Sequence, residues 1–206
     1  MAANYDNTTW FYKRLSKLVF GQTQVKAQEY FLSRVKTGAN ILIIGGGTGG
    51  ILESLTSLHP VGLHITYMEI SANMMTLSHK RNTGQNEVTY ITKNIEEVTF
   101  SQQFDVVITA FLFDNFSNES LAAVFPIIDA QVKPDGIWLN TDFQLTGPLW
   151  QKVMLKGMYI FFRLMGAVKV TWLPDVKRMF RVHGYHLLDK KTFYGHFISA
   201  TVYRKS

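Results

Sequence analysis

The feature that most constrains this chain is an apolar run, ILII at residues 41–44, followed at once by GGGTGG at 45–50. A continuous run rich in β-branched residues is typical of a strand buried on both faces in the middle of a parallel sheet. Glycine tolerates left-handed backbone conformations and leaves room for a close backbone approach, so the strand must end in a tight turn. Apolar residues resume at helical spacing over 51–58. The segment therefore predicts a strand, a glycine loop and a helix.

Strands and helices continue to alternate after this unit. Further strands are predicted at 63–68, 88–92, 104–110 and 137–141, with helices at 71–81 and 119–131 between them and a turn at 133–136. Five strands separated by helices indicate an α/β fold with a doubly wound, mostly parallel, Rossmann-like sheet. Ligands of such sheets gather at the carboxyl ends of the strands.

Both ends of the chain add elements to this core. Two leading helices are predicted at 11–20 and 24–35, and two more follow the fifth strand at 149–164 and 174–182. The last two apolar runs, 185–188 and 197–203, predict a C-terminal antiparallel hairpin. The expected sheet therefore has seven strands.

Composition excludes several classes of protein. The chain has 206 residues, 47% of them hydrophobic, which suits one domain with its own core. It contains no cysteine, which excludes disulfides, a thiolate nucleophile and cysteine-ligated metal. The N-terminus lacks a secretory signal pattern, so a cytoplasmic protein is expected. Three basic residues interrupt the apolar stretch 153–172, which argues against a membrane span there.

Charge is distributed unevenly along the chain. Residues 1–149 carry ten Lys or Arg against thirteen Asp or Glu, whereas 150–206 carry eleven against two. A basic half can favour nucleic acid, an anionic membrane surface or an acidic substrate. Its basic residues are spread singly among aromatic ones, which favours an ordinary solvated face, and no nucleic-acid partner is expected.

The glycine loop alone leaves its ligand open. Gly45, Gly47 and Gly50 satisfy the G-x-G-x-x-G spacing of dinucleotide-binding loops, and Gly45, Gly47 and Gly49 satisfy the G-x-G-x-G form of methyltransferases. A tight turn without any ligand is the third interpretation. Glu69, directly after the second strand, weakens the third, because a carboxylate there can accept hydrogen bonds from a ribose diol.

Four segments resemble class I S-adenosylmethionine-dependent methyltransferases, and the resemblance covers nearly the whole chain from Ala39 onward. The run 41–49 resembles the family's first motif and 69–74 its second. Residues 93–96 take the place of the third, and 104–110 with 132–136 resemble the fourth strand and the loop before the fifth. The resemblance implies S-adenosylmethionine as cofactor and S-adenosylhomocysteine as product. It also implies these cofactor-binding residues: Gly45, Gly47, Thr48, Gly49, Glu69, Ile70, Met74, Asn94, Ile95, Thr109 and Ala110.

By this resemblance, Glu69 binds the ribose, while Ile70 and Met74 pack against the adenosine. Two positions depart from the family pattern. Asn94 stands where an aspartate usually contacts the adenine amino group, and its amide oxygen can still accept that bond, though less strongly than a charged group. Ile43 replaces the acidic residue that commonly helps to orient the methionine end. This second departure bears on cofactor affinity rather than on the fold.

No residue is assigned outright to catalysis. The sulfonium already makes the methyl group electrophilic, so positioning and water exclusion can supply much of the acceleration. If the acceptor is a hydroxyl, some residue must take its proton, and the candidates near the strand ends are Asp114 and Asp142. Both could equally be loop or capping residues. No metal is expected: His183 and His186 sit at a turn without a third ligand and are interpreted as structural.

The helix at 149–164 carries many large apolar side chains, among them Met154, Met158, Tyr159, Phe161 and Phe162. We expect it to belong to the core or to form a lid. In the resembled family this segment often helps to form the acceptor pocket. An amphipathic helix could instead rest on a membrane surface or pair with a second subunit as a homodimer. Tyr5, Trp10 and Tyr12 could close over the cofactor or simply pack.

The sequence thus predicts one domain over 1–206, with a helical cap (1–38), a cofactor-binding core (39–142) and acceptor-side helices with the hairpin (143–206). The expected function is methyl transfer from S-adenosylmethionine to a small, apolar or aromatic acceptor. A cofactor-binding regulatory protein without catalysis is the alternative. A nicotinamide-dependent oxidoreductase fits less well, because such enzymes usually need a second catalytic domain and more parallel strands.

Overall fold

The computed structural model describes residues 19–164 and 170–206. Seven strands form one sheet: β1 (Asn40–Ile44), β2 (Val61–Met68), β3 (Gln85–Ile91), β4 (Phe104–Ala110), β5 (Val132–Phe143), β6 (Tyr185–Phe193) and β7 (Ile198–Lys205). Six described helices connect or flank them: α1 (Thr23–Glu29), α2 (Gly50–Leu58), α3 (Ala72–Ser78), α4 (Asn118–Asp129), α5 (Leu149–Leu164) and α6 (Val176–Val182). Short 3₁₀ turns occupy Leu32–Arg34, Ile95–Glu97 and Phe113–Asn115.

The sheet has the order β3-β2-β1-β4-β5-β7-β6. Strands β1 to β5 pair in parallel, and β7 pairs antiparallel with both β5 and β6. This confirms the predicted α/β fold with a C-terminal antiparallel hairpin. Strands β1 and β4 are adjacent while their connections run to opposite sides, so the crevice between their carboxyl ends is where such folds bind ligands.

Strand β1 shows why its sequence is apolar at every position. Ile41 and Ile43 pack on one face of the sheet with Leu52 and Leu55 of α2. Leu42 and Ile44 pack on the other face, in the cluster that includes α4. Each such side chain stabilises the fold by roughly 1.5–3 kcal/mol. Helices on both faces thus require a strand without a polar side.

Several element boundaries differ from those predicted. The expected single helix over 24–35 ends at Glu29, and Val35 is already extended. This break lets Ala27 pack in the cluster with α5 while Leu32 and Val35 join the core beside β1. The predicted helix 11–20 lies outside the described residues apart from Val19 and Phe20.

Strands β5 and β6 are both longer than the sequence predicted. Strand β5 covers twelve residues rather than 137–141, because the turn at 133–136 is a bulge within it, with Asp135 at φ 59°. Strand β6 runs on to Phe193, where the sequence suggested a longer turn. The hairpin turn is short and holds residues 194–197, of which Tyr194, Gly195 and His196 have positive φ.

Candidate functional site

The site begins where β1 ends and the glycine loop turns. The N–H groups of Gly45 and Gly46 both donate to the Met68 carbonyl at the end of β2, at 2.9 and 3.2 Å. Gly45 and Gly47 have φ values of 68° and 63°, in the left-handed region that favours glycine. At Gly46 the constraint is space, because a Cβ atom would lie 2.2 Å from the Tyr67 ring. The first three positions of the loop therefore need glycine, for conformation at Gly45 and Gly47 and for room at Gly46.

Glu69 connects this loop to the tip of β2. Its carboxylate accepts the N–H of Gly47 through Oε2 at 2.8 Å and the N–H of Ser71 through Oε1 at 2.9 Å. The residue is only 6% exposed, yet it lines the cavity beside the loop. An ionised carboxylate accepts hydrogen bonds through both of its oxygens. Glu69 is thus an acceptor whose orientation is fixed where it lines the cavity.

Two further side chains hold the loop in place. The Tyr67 hydroxyl donates to the Gly47 carbonyl at 2.8 Å. Burial, with a smaller contribution from the Glu69 charge, raises the pKa of Tyr67, so its hydroxyl keeps its proton and stays a donor. Arg81 donates through Nε to the Thr48 carbonyl at 2.8 Å and through Nη1 to Glu53 at 3.0 Å. The loop backbone is thereby fixed before any ligand binds.

A cavity of about 410 Å³ extends from the glycine loop. Among the residues that line it are nine of the eleven predicted for the cofactor: Gly45, Gly47, Thr48, Glu69, Ile70, Met74, Asn94, Ile95 and Ala110. They come from the carboxyl ends of β1, β2 and β4 and from the segment after β3. The structure thus brings the residues of all four motif segments to one side of the sheet.

Gly49 and Thr109 are the two that the lining does not include. Gly49 caps α2 at φ 78°, and a Cβ there would lie 2.7 Å from the Ser78 side chain. Thr109 is fully buried, where its hydroxyl donates to Asn140 at 3.0 Å and accepts from the Trp138 indole at 2.9 Å. Both residues hold the elements that carry the site.

Asn94 lines the cavity at the start of the turn Ile95–Glu97. Its amide nitrogen donates to Glu97 at 3.1 Å. With the nitrogen so engaged, the amide oxygen is the atom suited to accept a hydrogen bond from a ligand. This orientation suits recognition of an amino group such as that of adenine.

The rest of the lining is mostly apolar. Its large side chains come from the end of β4 and the turn after it, from β5 and α4, and from the inner face of α5: Phe111, Leu112, Phe116, Val124, Phe143, Met158, Tyr159 and Phe162. The rings of Phe111 and Phe143 are 5.1 Å apart. Asp114 and Asn115 supply polar groups, and the Tyr159 hydroxyl donates to the Asp114 carbonyl at 3.0 Å. The cavity therefore joins a polar part at the loop to an aromatic part at α5.

Of the two catalytic candidates, Asp114 lines the cavity, whereas Asp142 is not part of the lining. The Asp142 carboxylate accepts the N–H groups of Phe113 and Phe143, at 3.0 and 2.8 Å, and so ties β5 to the turn after β4. Burial, together with the negative charge of Asp142, raises the pKa of Asp114 well above its ordinary range. Burial raises the pKa of Asp142 too. Two such carboxyl groups favour holding one proton between them.

The remaining sequence candidates have simpler positions. Within 19–164 and 170–206, no group of three His, Asp or Glu side chains could hold a metal ion. The His183 ring packs 4.8 Å from that of Phe125, with Nδ1 3.0 Å from the Met179 carbonyl, and His186 lies in β6. Tyr5, Trp10 and Tyr12 fall outside the described residues. Across the described ranges, every helix is too short or too polar to cross a bilayer.

Sequence reasoning missed Tyr67 and Arg81. Tyr67 lies at an inward position of a strand expected to be buried, where an aromatic residue signals packing rather than a hydrogen bond to the loop. Arg81 stands at the end of the predicted helix 71–81, and no spacing rule connects it with Thr48. The apolar lining by Phe111, Leu112 and Phe116 was also missed, because these residues flank a short 3₁₀ turn that no helix or strand periodicity marks in the sequence.

Comparisons with known proteins agree with this geometry. A family model described as a methyltransferase domain matches residues 41–136. Malonyl-[acyl-carrier protein] O-methyltransferase of Priestia megaterium is 33% identical over 103 residues, which are 50% of this chain and 36% of that protein. Cyclopropane-fatty-acyl-phospholipid synthase of Escherichia coli is 26% identical over 106 residues, 52% of this chain and 26% of the synthase. The chain thus aligns with only about a quarter to a third of the length of these two relatives.

Solved structures match over a much larger share. The magnesium protoporphyrin IX methyltransferase of Synechocystis, solved with bound S-adenosylhomocysteine, superposes with a TM-score of 0.70. The superposition covers 98% of this chain and 97% of that one at 13% identity. At that identity the likeness shows the fold, and the residues of the site must be judged by their own geometry.

Proposed function

We propose that this chain, which belongs to the class I S-adenosylmethionine-dependent methyltransferases, transfers a methyl group from that cofactor to a small acceptor with an apolar or aromatic body. One observation carries the proposal. Glu69 is a buried carboxylate, fixed by two backbone amides, that lines the same cavity as the glycine loop. A ribose diol beside a close backbone approach satisfies both features.

The polar part of the cavity fits each portion of the cofactor. Glu69 would accept the two ribose hydroxyls, and Asn94 would accept the adenine amino group through its amide oxygen. Ile70, Met74 and Ile95 supply apolar surface for the adenine ring. The bare backbone at Gly45 and Gly47 leaves room for the methionine portion.

The position of Ile43 accounts for the missing acidic residue. Ile43 is buried in the core beside α2, so a carboxylate there would need a partner within that cluster. The glycine loop is held instead by Tyr67 and Arg81. We propose that these two side chains take over the orienting role, and that cofactor binding does not depend on an acidic residue at position 43.

The aromatic part of the cavity supports an apolar or aromatic acceptor. Its rings and methionine exclude water from the region next to the cofactor, and this also protects an electrophilic methyl group from hydrolysis. The similar proteins described above act on molecules as different as a malonyl-acyl-carrier protein and magnesium protoporphyrin IX. The lining of this chain, rather than theirs, is therefore the basis for the acceptor class.

The cofactor, when bound, supplies an electrophilic methyl group on a sulfonium. The task left to the protein is to hold the acceptor atom in line with that group and to take up a proton where the acceptor is a hydroxyl. We assign the proton to the Asp114 carboxylate, which lines the cavity, with Asp142 as the residue that fixes the backbone beside it. Asp114 takes the proton only when it is ionised, and its raised pKa then makes it a stronger base than an ordinary carboxylate.

Calorimetry followed by a turnover assay tests the proposal. The protein should bind S-adenosylmethionine and S-adenosylhomocysteine and ignore NAD, and it should release S-adenosylhomocysteine with one or more members of a panel of phenols, hydroxylated apolar compounds and aromatic amines. Failure of a folded sample to bind either sulfur compound contradicts the whole assignment. Binding without turnover across the panel would favour the non-catalytic alternative. A cytoplasmic location and a homodimer stay predictions from the sequence.

A further inference from the structure

The outward surface of α5 is sorted into two kinds of side chain. Leu149, Val153, Ile160 and Leu164 are 73%, 64%, 52% and 81% exposed. Lys152, Lys156 and Arg163 are exposed as well, and no acidic residue occurs anywhere in α5. These four large apolar side chains, together with Trp150 and the three cations, thus face solvent on one helix.

Helical geometry places these residues on two adjacent stripes. With about 3.6 residues per turn, the four apolar side chains fall along one line of the helix and the three basic ones along the neighbouring line. Gln151, Leu155, Tyr159 and Phe162 lie opposite and are buried. An ordinary solvated face would carry polar groups at the positions that Val153 and Ile160 occupy.

We infer that this face of α5 docks on the surface of an anionic lipid bilayer. A helix with an apolar stripe beside a basic stripe lies in the bilayer interface, with the apolar residues among the acyl chains and the basic ones at the phosphates. The charge of the chain after α5 agrees, since residues 165–206 carry eight Lys or Arg against two Asp or Glu. A second copy of the chain is a poorer occupant, because a symmetric contact would bring two sets of these cations together.

Docking in this orientation would bring the bilayer close to the cavity. Met158, Tyr159 and Phe162 line the cavity from the inner side of the same helix. A helix is about 10 Å across, so an acceptor dissolved in the membrane would have a short path to the site. This consequence, unlike the docking itself, rests on the proposed function.

Vesicle co-sedimentation of the full chain without cofactor tests the docking alone. The protein should bind vesicles of phosphatidylcholine with phosphatidylglycerol, bind neutral phosphatidylcholine vesicles far less, and dissociate as salt is raised. The variant Lys152→Glu/Lys156→Glu should lower the partition coefficient by at least about 30-fold, the figure for the loss of two cations alone. The matched variant Lys36→Glu/Lys80→Glu, which reverses two exposed lysines outside α5, should leave it unchanged.

The apolar stripe needs its own pair of variants. Val153→Ser/Ile160→Ser should weaken vesicle binding, whereas Leu58→Ser/Val61→Ser, at similarly exposed positions elsewhere, should not. Thermal unfolding of all four double variants checks that each is folded. Equal binding to neutral vesicles, or equal loss in both lysine pairs, would overturn the inference. So would sedimentation velocity showing a dimer that Val153→Ser/Ile160→Ser dissociates, with no vesicle binding by the parent.

Discussion

The carboxylate of Glu69 lies 2.8 Å from the backbone nitrogen of Gly47, so the tip of β2 is hydrogen-bonded to the loop that follows β1. One side chain thereby sets the shape of the loop and offers the cavity its acidic acceptor. Glu69→Ala should weaken S-adenosylhomocysteine binding by about 1–3 kcal/mol, because charged hydrogen bonds to the ribose are lost. Calorimetry measures this. Glu87→Ala, on the exposed side of β3, is the matched control. Equal affinities of the two variants for S-adenosylhomocysteine would contradict the assignment of Glu69 to the ribose.

Tyr67→Phe isolates the hydroxyl that reaches the Gly47 carbonyl at 2.8 Å. The ring remains under Gly46, so packing is kept and one hydrogen bond to the loop is lost. We expect cofactor affinity to fall by about 1 kcal/mol, or roughly fivefold. Tyr90→Phe, on the neighbouring strand β3, should leave affinity unchanged. Equal dissociation constants for the parent and Tyr67→Phe would show that cofactor binding does not depend on the hydrogen bond from Tyr67 to the loop.

Gly46→Ala tests the close approach at the same ring. The new Cβ would lie 2.2 Å from Tyr67 Cε2, so the loop or the ring must move. We expect loss of measurable cofactor binding and a lower melting temperature. Gly157→Ala is the control, since nothing lies within 4 Å of its Cβ position in α5. It should stabilise the protein by about 0.5–1 kcal/mol through helix propensity. Normal binding by Gly46→Ala would disprove the steric argument.

The pKa of Asp114 gives a stability prediction with a definite sign. The folded chain holds this proton more tightly than the unfolded chain because burial and the Asp142 charge disfavour the ionised form. In the unfolded chain an aspartate has a pKa of about 3.9. The stabilisation from the neutral form is therefore complete below that pH and is lost as the pH rises through the raised pKa of the folded state. Asp114→Asn stays neutral throughout. Its melting temperature, relative to the parent, should rise with pH.

The control for this series is Asp135→Asn, at an exposed turn residue with φ 59° that asparagine also tolerates. Its melting temperature should track that of the parent at every pH. A constant difference between Asp114→Asn and the parent from pH 4 to pH 8 would mean that Asp114 titrates as an ordinary aspartate. In the turnover assay Asp114→Asn should be slow with hydroxyl acceptors and retain cofactor affinity.

Local sequence patterns were enough to predict the order of the strands and helices and the parallel core of the sheet. The run at 41–44 predicted a strand covered on both faces, and Leu42 and Ile43 do pack on opposite sides of the sheet. Alternating strands and helices predicted a parallel sheet, because short connections leave few other arrangements. The prediction of Glu69 beside the glycine loop followed from strand ends alone, since parallel strands present their carboxyl ends at one edge.

Features that depend on contacts between distant segments were not predictable. The bulge at 133–136 looks like a plain turn in sequence, and only pairing with β4 makes it part of β5. Arg81 finds Thr48 across 33 positions of chain. Thr109 lies one residue before the end of β4, where a cofactor contact is expected, but its hydroxyl is engaged by Trp138 and Asn140, both from β5. Tertiary partners decided these roles.

The position of β7 between β5 and β6 also determines the order in which the sheet can assemble. Strand β6 is synthesised before β7, but in the sheet it is an edge strand that pairs with β7 alone. Until β7 is synthesised, the backbone N–H and C=O groups of β6 have no partner strand. The edge of the parallel sheet at β5 is unpaired for the same period, because β7 also pairs with β5. Such edges invite pairing with other chains. A nascent chain stalled between Phe193 and Ile198 should consequently be the form of this protein that most needs a chaperone.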